Sequence, residues 1–139
     1  VIVIDTSAMV EFLVGDDERA ERVRGAAESE GSLATPHGID LECASSLRGL
    51  VRGGKLAQGK ADYALEVLQQ LAITRYEHTW YLARIWELRA NMWPYDAAYV
   101  ALAEALAVPL LTVDCKFERT PGAHCEIVTV KAASPQPGK

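Results

Sequence analysis

The opening run Val1-Ile2-Val3-Ile4 is unbroken and β-branched, and a strand with no polar face suits a position covered on both sides. Such strands belong to parallel sheets layered between helices, so helices should alternate with strands along the rest of the chain. Asp5-Thr6-Ser7 offers N-cap side chains for a helix directly after the strand. Residues 16–30 are rich in charge and place Ala20, Val23 and Ala27 on one face of a second, solvated helix that ends at Gly31. A weak strand at 32–35 stops at Pro36. Residues 39–51 and 57–71 carry apolar stripes at helical spacing, separated by Gly53-Gly54, and residues 73–76 read as a further strand. Residues 79–90 and 95–107, the latter begun at Pro94, read as helices, and 109–113 and 126–130 as strands. The expectation is one α/β domain over residues 1–130. Its core is a right-handed, doubly wound parallel sheet of five strands with helices on both faces. Residues 131–139 lack the apolar content to pack and are expected to form a polar tail, disordered or vector-derived.

At 139 residues, half of them hydrophobic, the chain has the size of one domain with a real core. Its formal net charge of -5 argues against holding nucleic acid by bulk positive charge. Cys43, Cys115 and Cys125 form neither a CxxC pair nor a disulfide framework, which points to a reducing compartment and away from zinc. Nothing at the start of the sequence resembles a signal peptide. The longest apolar region, 97–113, is interrupted by Glu104 and Pro109 and is too short for a bilayer. A soluble, cytoplasmic protein with no membrane contact is expected.

Ligands of doubly wound sheets lie at the carboxyl ends of the strands. Asp5 directly follows the first strand and Asp114 directly follows the strand 109–113. Glu42 and Asp96 occupy first turns of helices that begin at the same edge. If the strands carrying Asp5 and Asp114 are neighbours, four acids distant in sequence share one rim. Clustered carboxylates repel and call for positive charge, and oxygen-only donors suit Mg²⁺ or Mn²⁺. Two such ions about 3.5–4 Å apart support an in-line phosphoryl displacement. Arg48, Arg52, Lys55, Lys116 and Arg119 are expected near the rim, where they would hold a phosphate backbone. Each acid also has a plainer explanation: Asp5 as a helix cap, Glu42 and Asp96 as first-turn acids, Asp114 as the cap of a turn at 115–118. Trp80, Tyr81, Trp86, Trp93 and Tyr95 are assigned to no RNA contact, Trp86 being read as core.

The segments Val1-Ile2-Val3-Ile4-Asp5-Thr6-Ser7-Ala8, Asp40-Leu41-Glu42-Cys43-Ala44, Tyr95-Asp96-Ala97-Ala98-Tyr99 and Leu110-Leu111-Thr112-Val113-Asp114 together resemble the PIN-domain ribonucleases, in particular VapC toxins of VapBC toxin–antitoxin pairs. The resemblance implies a PIN-like, Rossmann-like fold and a Mg²⁺- or Mn²⁺-dependent endoribonuclease. Asp5, Glu42, Asp96 and Asp114 match the family's acidic, metal-binding positions, and Thr6, Ser7 and Thr112 would support them. The same resemblance implies a homodimer and a cognate antitoxin as partner. Cutting is expected to leave a 5′-phosphate and a 3′-OH, with no part for the ribose 2′-OH. Two rival readings are a Mg²⁺-dependent phosphoaspartate protein and an inactive PIN-fold binding module. Against the first, Ser7 stands where a phosphatase of that kind needs a second Asp, and the strand at 73–76 ends without an acceptor Asp.

Overall fold

A computed structural model describes residues 1–132 of the chain, so the tail expected at 131–139 lies, from residue 133 onward, outside the described residues. Five parallel strands make one sheet in the order β3-β2-β1-β4-β5: β1 (Ile2–Ile4), β2 (Leu33–Pro36), β3 (Ile73–Tyr76), β4 (Leu110–Thr112) and β5 (Ile127–Thr129). Two helices, α1 (Thr6–Val14) and α2 (Glu18–Ser29), connect β1 to β2. A further two, α3 (Ile39–Arg52) and α4 (Gln58–Gln70), connect β2 to β3. The return from the edge strand β3 to β4 passes through α5 (Leu82–Glu87) and α6 (Pro94–Leu106), and the short α7 (Lys116–Arg119) leads to β5. This is the doubly wound sheet expected from the alternating pattern, and its winding reverses between β1 and β4.

Local chemistry sets the helix boundaries. Asp5 and Asp17 cap α1 and α2, each accepting a 2.9 Å hydrogen bond from the backbone three residues on, at Ala8 and Ala20. Pro94 sits in the first turn of α6, where its missing N–H is no loss. That helix ends at Ala107, whose φ of 56° is left-handed, and the next N–H, of Val108, bonds back to Ala103 O at 3.0 Å. Residues 79–90 are not one helix. A 3-10 turn at Thr79–Tyr81 precedes α5 and another at Leu88–Ala90 follows it, with no side-chain cap on any of the three.

The main core lies between the sheet and its helices. Val3, Ile4, Met9, Tyr99, Leu102, Leu110 and Leu111 are buried, each contributing about 1.5–3 kcal/mol relative to exposure. A smaller cluster of Leu47, Ala61 and Ala64 joins α3 to α4 with help from Leu13 and Val14 of α1. Val51 and Leu65 also pack there, whereas Leu68 and Leu71 of the same stripes join the main core and Leu41 is exposed. Tyr81, Ile85 and Leu88 turn inward, which leaves Trp86 63% exposed rather than in the core. No helix among the described residues is long and apolar enough to cross a membrane.

Candidate functional site

The register Val3↔Leu110 and Ile4↔Leu111 makes β1 and β4 neighbours, so Asp5 and the segment 112–114 leave the sheet side by side. Asp5 is only 5% exposed. Its Oδ1 accepts from Ala8 N–H at 2.9 Å and Ser7 Oγ at 2.7 Å, and its Oδ2 accepts from Thr112 Oγ1 at 2.6 Å. Burial raises the proton affinity of this carboxyl above its ordinary value. The bonds from Thr112, Ala8 and Ser7 oppose that rise without cancelling it, and the charge of Asp114 adds to it. The Thr112 hydroxyl also accepts from Asp114 N–H at 3.0 Å, so one hydroxyl links Asp5 to the backbone of Asp114. Ser7 Oγ accepts from Val113 N–H at 3.2 Å, tying α1 to the end of β4.

Glu42 lies in the first turn of α3. Tyr99, buried on α6, donates its hydroxyl to Glu42 Oε2 at 3.0 Å and meets Thr6 Oγ1 at 2.9 Å. Burial raises the proton affinity of Glu42; hydrogen bonds from Tyr99 and Thr6 oppose this, and the charges of Asp96 and Asp5 reinforce it. The start of α3 is held by Arg75 of β3, whose Nε and Nη2 each bond a different oxygen of Asp40 at 2.8 Å. A Cβ at Gly38 would come within 3.3 Å of Glu42 Oε2, so the bare backbone there gives the carboxylate room. Asp96, in the first turn of α6, and Asp114 share the Lys116 ammonium, which lies 2.9 Å from Asp96 Oδ2 and 3.2 Å from Asp114 Oδ2. Burial pulls the Lys116 proton affinity down, but the two carboxylates more than offset it, and it ends above its ordinary value.

Asp5, Glu42, Asp96 and Asp114 therefore stand along one rim and feel one another's charge. Among the described residues, though, no three His, Cys, Asp or Glu side chains converge as a ready ligand set. Thr6, Ser7 and Thr112 each hydrogen-bond to Asp5 or to the tyrosine that holds Glu42. The expected phosphate-binding set needs correction. Lys116 touches the acids and Arg119 lies on the same short helix, but α3 runs away from the rim. Arg48 and Arg52 are thereby placed roughly 9 to 15 Å beyond Glu42 along its axis at 1.5 Å per residue. Arg48 and Arg52 line the groove between α3 and α4, and Lys55 lies by the far end of α1. Sequence reading missed Tyr99, although it falls three residues after Asp96 on the same helix face. Nothing local in sequence signals the Arg75–Asp40 pair.

The donor set suits a hard divalent cation, since it consists of carboxylate and hydroxyl oxygens and already attracts one cation, the Lys116 ammonium, between two of its acids. Cys43, beside Glu42, is buried and its thiol is pushed up to about 12, so it offers no thiolate ligand.

The PIN domain family profile matches residues 2–123. VapC ribonuclease Mb0985 of Mycobacterium bovis is 42% identical over 129 residues, covering 93% of this chain and 98% of that protein. Ribonuclease VapC1 of Mycobacterium tuberculosis is 41% identical over 130 residues, with 93% and 97% covered. Among solved structures, Mycobacterium tuberculosis VapC20, a sarcin-ricin loop cleaving toxin, superposes with a TM-score of 0.66 at 16% identity, covering 86% of this chain and 94% of that one. VapBC2 from Rickettsia felis, bound to a DNA fragment from its promoter, gives 0.66 at 12% identity, with 92% and 97% covered. At these identities the two structures speak for the fold.

Proposed function

The chain belongs to the PIN-domain family, and from that premise we propose that it is a metal-dependent endoribonuclease acting as the toxin of a toxin–antitoxin pair. The reading is supported by the position of four acids, at the ends of four separate elements, along the rim where the sheet reverses its winding. The names of the relatives, VapC ribonuclease Mb0985 and Ribonuclease VapC1, support it. The proposed nuclease domain is residues 1–130.

Asp5, Glu42, Asp96 and Asp114 are the residues that would hold Mg²⁺ or Mn²⁺. Such an ion supplies Lewis-acid stabilisation of a phosphodiester and of its departing 3′ oxygen when bound. The protein's own share is positioning and proton handling. Thr112 and Ser7 fix the two oxygens of Asp5, and the Thr6–Tyr99 pair fixes Glu42, so neither carboxylate swings when substrate arrives. Glu42, held in place by the Tyr99 hydroxyl, is the carboxylate assigned to accept the proton of an attacking water. The ribose 2′-OH takes no part, so the products carry a 5′-phosphate and a 3′-OH. A cognate antitoxin and a second copy of the chain are the proposed partners.

The test is cleavage of a mixed RNA pool with Mg²⁺ or with EDTA, followed by mapping of the ends. Asp5→Asn keeps the Ala8 cap and should lower the rate by more than roughly 100-fold, beyond the 10–100-fold typical of supporting residues. Wild-type rates in Asp5→Asn, or cleavage that persists in EDTA, would overturn the proposal.

A further inference from the structure

A cleft of about 560 Å³ opens beside Asp96 and Lys116, and Arg89, Asn91, Trp93 and Phe117 complete the part of its wall that matters here. Trp93 is 76% exposed although its neighbour Met92 is buried and Pro94 follows it, so the backbone holds a large indole out in water. Its carbonyl receives the Ala97 N–H at 2.9 Å, which anchors the residue at the head of α6, the helix that carries Asp96. The fold gains little from this indole, which joins no aromatic pair among the described residues. Arg89 is also held in place: its guanidinium lies 4.5 Å from the centre of the Trp86 ring and donates to Trp86 O at 2.8 Å. It has no carboxylate partner among the described residues. An aromatic face, an oriented cation without a counter-charge and an exposed amide at Asn91 thus share one cleft with an acid of the site.

We propose that this cleft is a subsite for one unpaired nucleotide of the RNA next to the scissile phosphate. Its base stacks on Trp93, its phosphate meets Arg89, and Asn91 reads the base edge. The proposal rests on the ribonuclease reading of the acids and names the form of its substrate. A base can reach Trp93 only when it has left its stack, so loops and single strands bind and continuous duplex does not. Arg89 is the cation of this cleft that no carboxylate pairs among the described residues, whereas Lys116 is shared between Asp96 and Asp114.

The experiment measures binding apart from cleavage. In an Asp5→Asn chain that also carries Trp80→Phe and Trp86→Phe, Trp93 is the sole tryptophan. Its emission is followed while a short single-stranded oligoribonucleotide is added with Mg²⁺ present. Quenching that saturates with the single strand, and is absent with a duplex of the same sequence, is expected. In the Asp5→Asn background, Trp93→Ala should weaken binding of a labelled oligonucleotide by roughly 5- to 150-fold and Trp93→Phe should restore most of it; with Asp5 intact, Trp93→Ala should show a raised KM for cleavage with kcat nearly unchanged. Unchanged Trp93 emission at saturation, or Trp93→Ala binding as tightly as its Asp5→Asn parent, overturns the subsite. A protein that binds and quenches as expected but cleaves no RNA overturns the nuclease reading and supports the subsite. One that cleaves normally with Trp93→Ala at wild-type KM does the reverse.

Discussion

Asp5 serves two ends that pull against each other. Its carboxylate caps α1 and is gripped by Ser7 and Thr112, yet burial holds its pKa above the ordinary value of 3.8. Glu42 is likewise raised above 4.5, first by burial. For both, the folded protein binds the proton more tightly than the unfolded chain does. Their contribution to stability is complete below the ordinary pKa and is lost as pH rises through the raised one. At neutral pH the ionised carboxylates therefore work against the fold, as functional groups often do. In EDTA at pH 7, Asp5→Asn is expected to melt at a higher temperature than wild type, and the gap should close as pH falls below about 4. Thermal melts between pH 3 and pH 8 check this, and a lower melting temperature for Asp5→Asn at pH 7 would contradict it.

Among the elements, α6 carries the most: it presents Asp96 and Tyr99 to the rim, Trp93 precedes it, and it ends on Ala107 in the left-handed region. A Cβ is strained there, so Ala107→Gly should stabilise the protein by about 0.5–1 kcal/mol, read from urea unfolding, without touching the rim. This helix was legible in sequence because Pro94 opens it and its apolar residues leave little doubt of burial. The strands β1 and β4 were legible as short apolar runs, whereas β2, which ends at Pro36, and β3, which carries Arg75, gave a weaker pattern. Residues 79–90 were not, since Tyr81, Ile85 and Leu88 repeat at helical spacing while the uncapped ends tighten into 3-10 turns. That spacing already put Trp86 outside the buried face. The acids could be placed on a common edge from sequence, but the pairing of β1 with β4 had to be assumed. The Arg75–Asp40 and Arg84–Glu104 pairs, 35 and 20 residues apart, leave no local pattern to read.

On the proposed reading, a net charge of -5 and the distance of Arg48, Arg52 and Lys55 from the rim leave Arg89 and Arg119 to meet phosphates, joined by Lys116 once a bound cation takes over Asp96 and Asp114. Three contacts to a single strand give a slope of log affinity against log salt of about -2. Binding isotherms across a salt series should return that value, and a slope steeper than about -4 would bring the far cations back into the interface. The doubly wound order has a further effect, because Asp5 meets Thr112 across 107 residues of chain. Until β4 and the residues after it are made, the rim lacks Asp114 and the hydroxyl that steadies Asp5. On the proposed reading, a nascent toxin stays harmless to the RNAs around its own ribosome until translation has carried the fourth strand out of the exit tunnel.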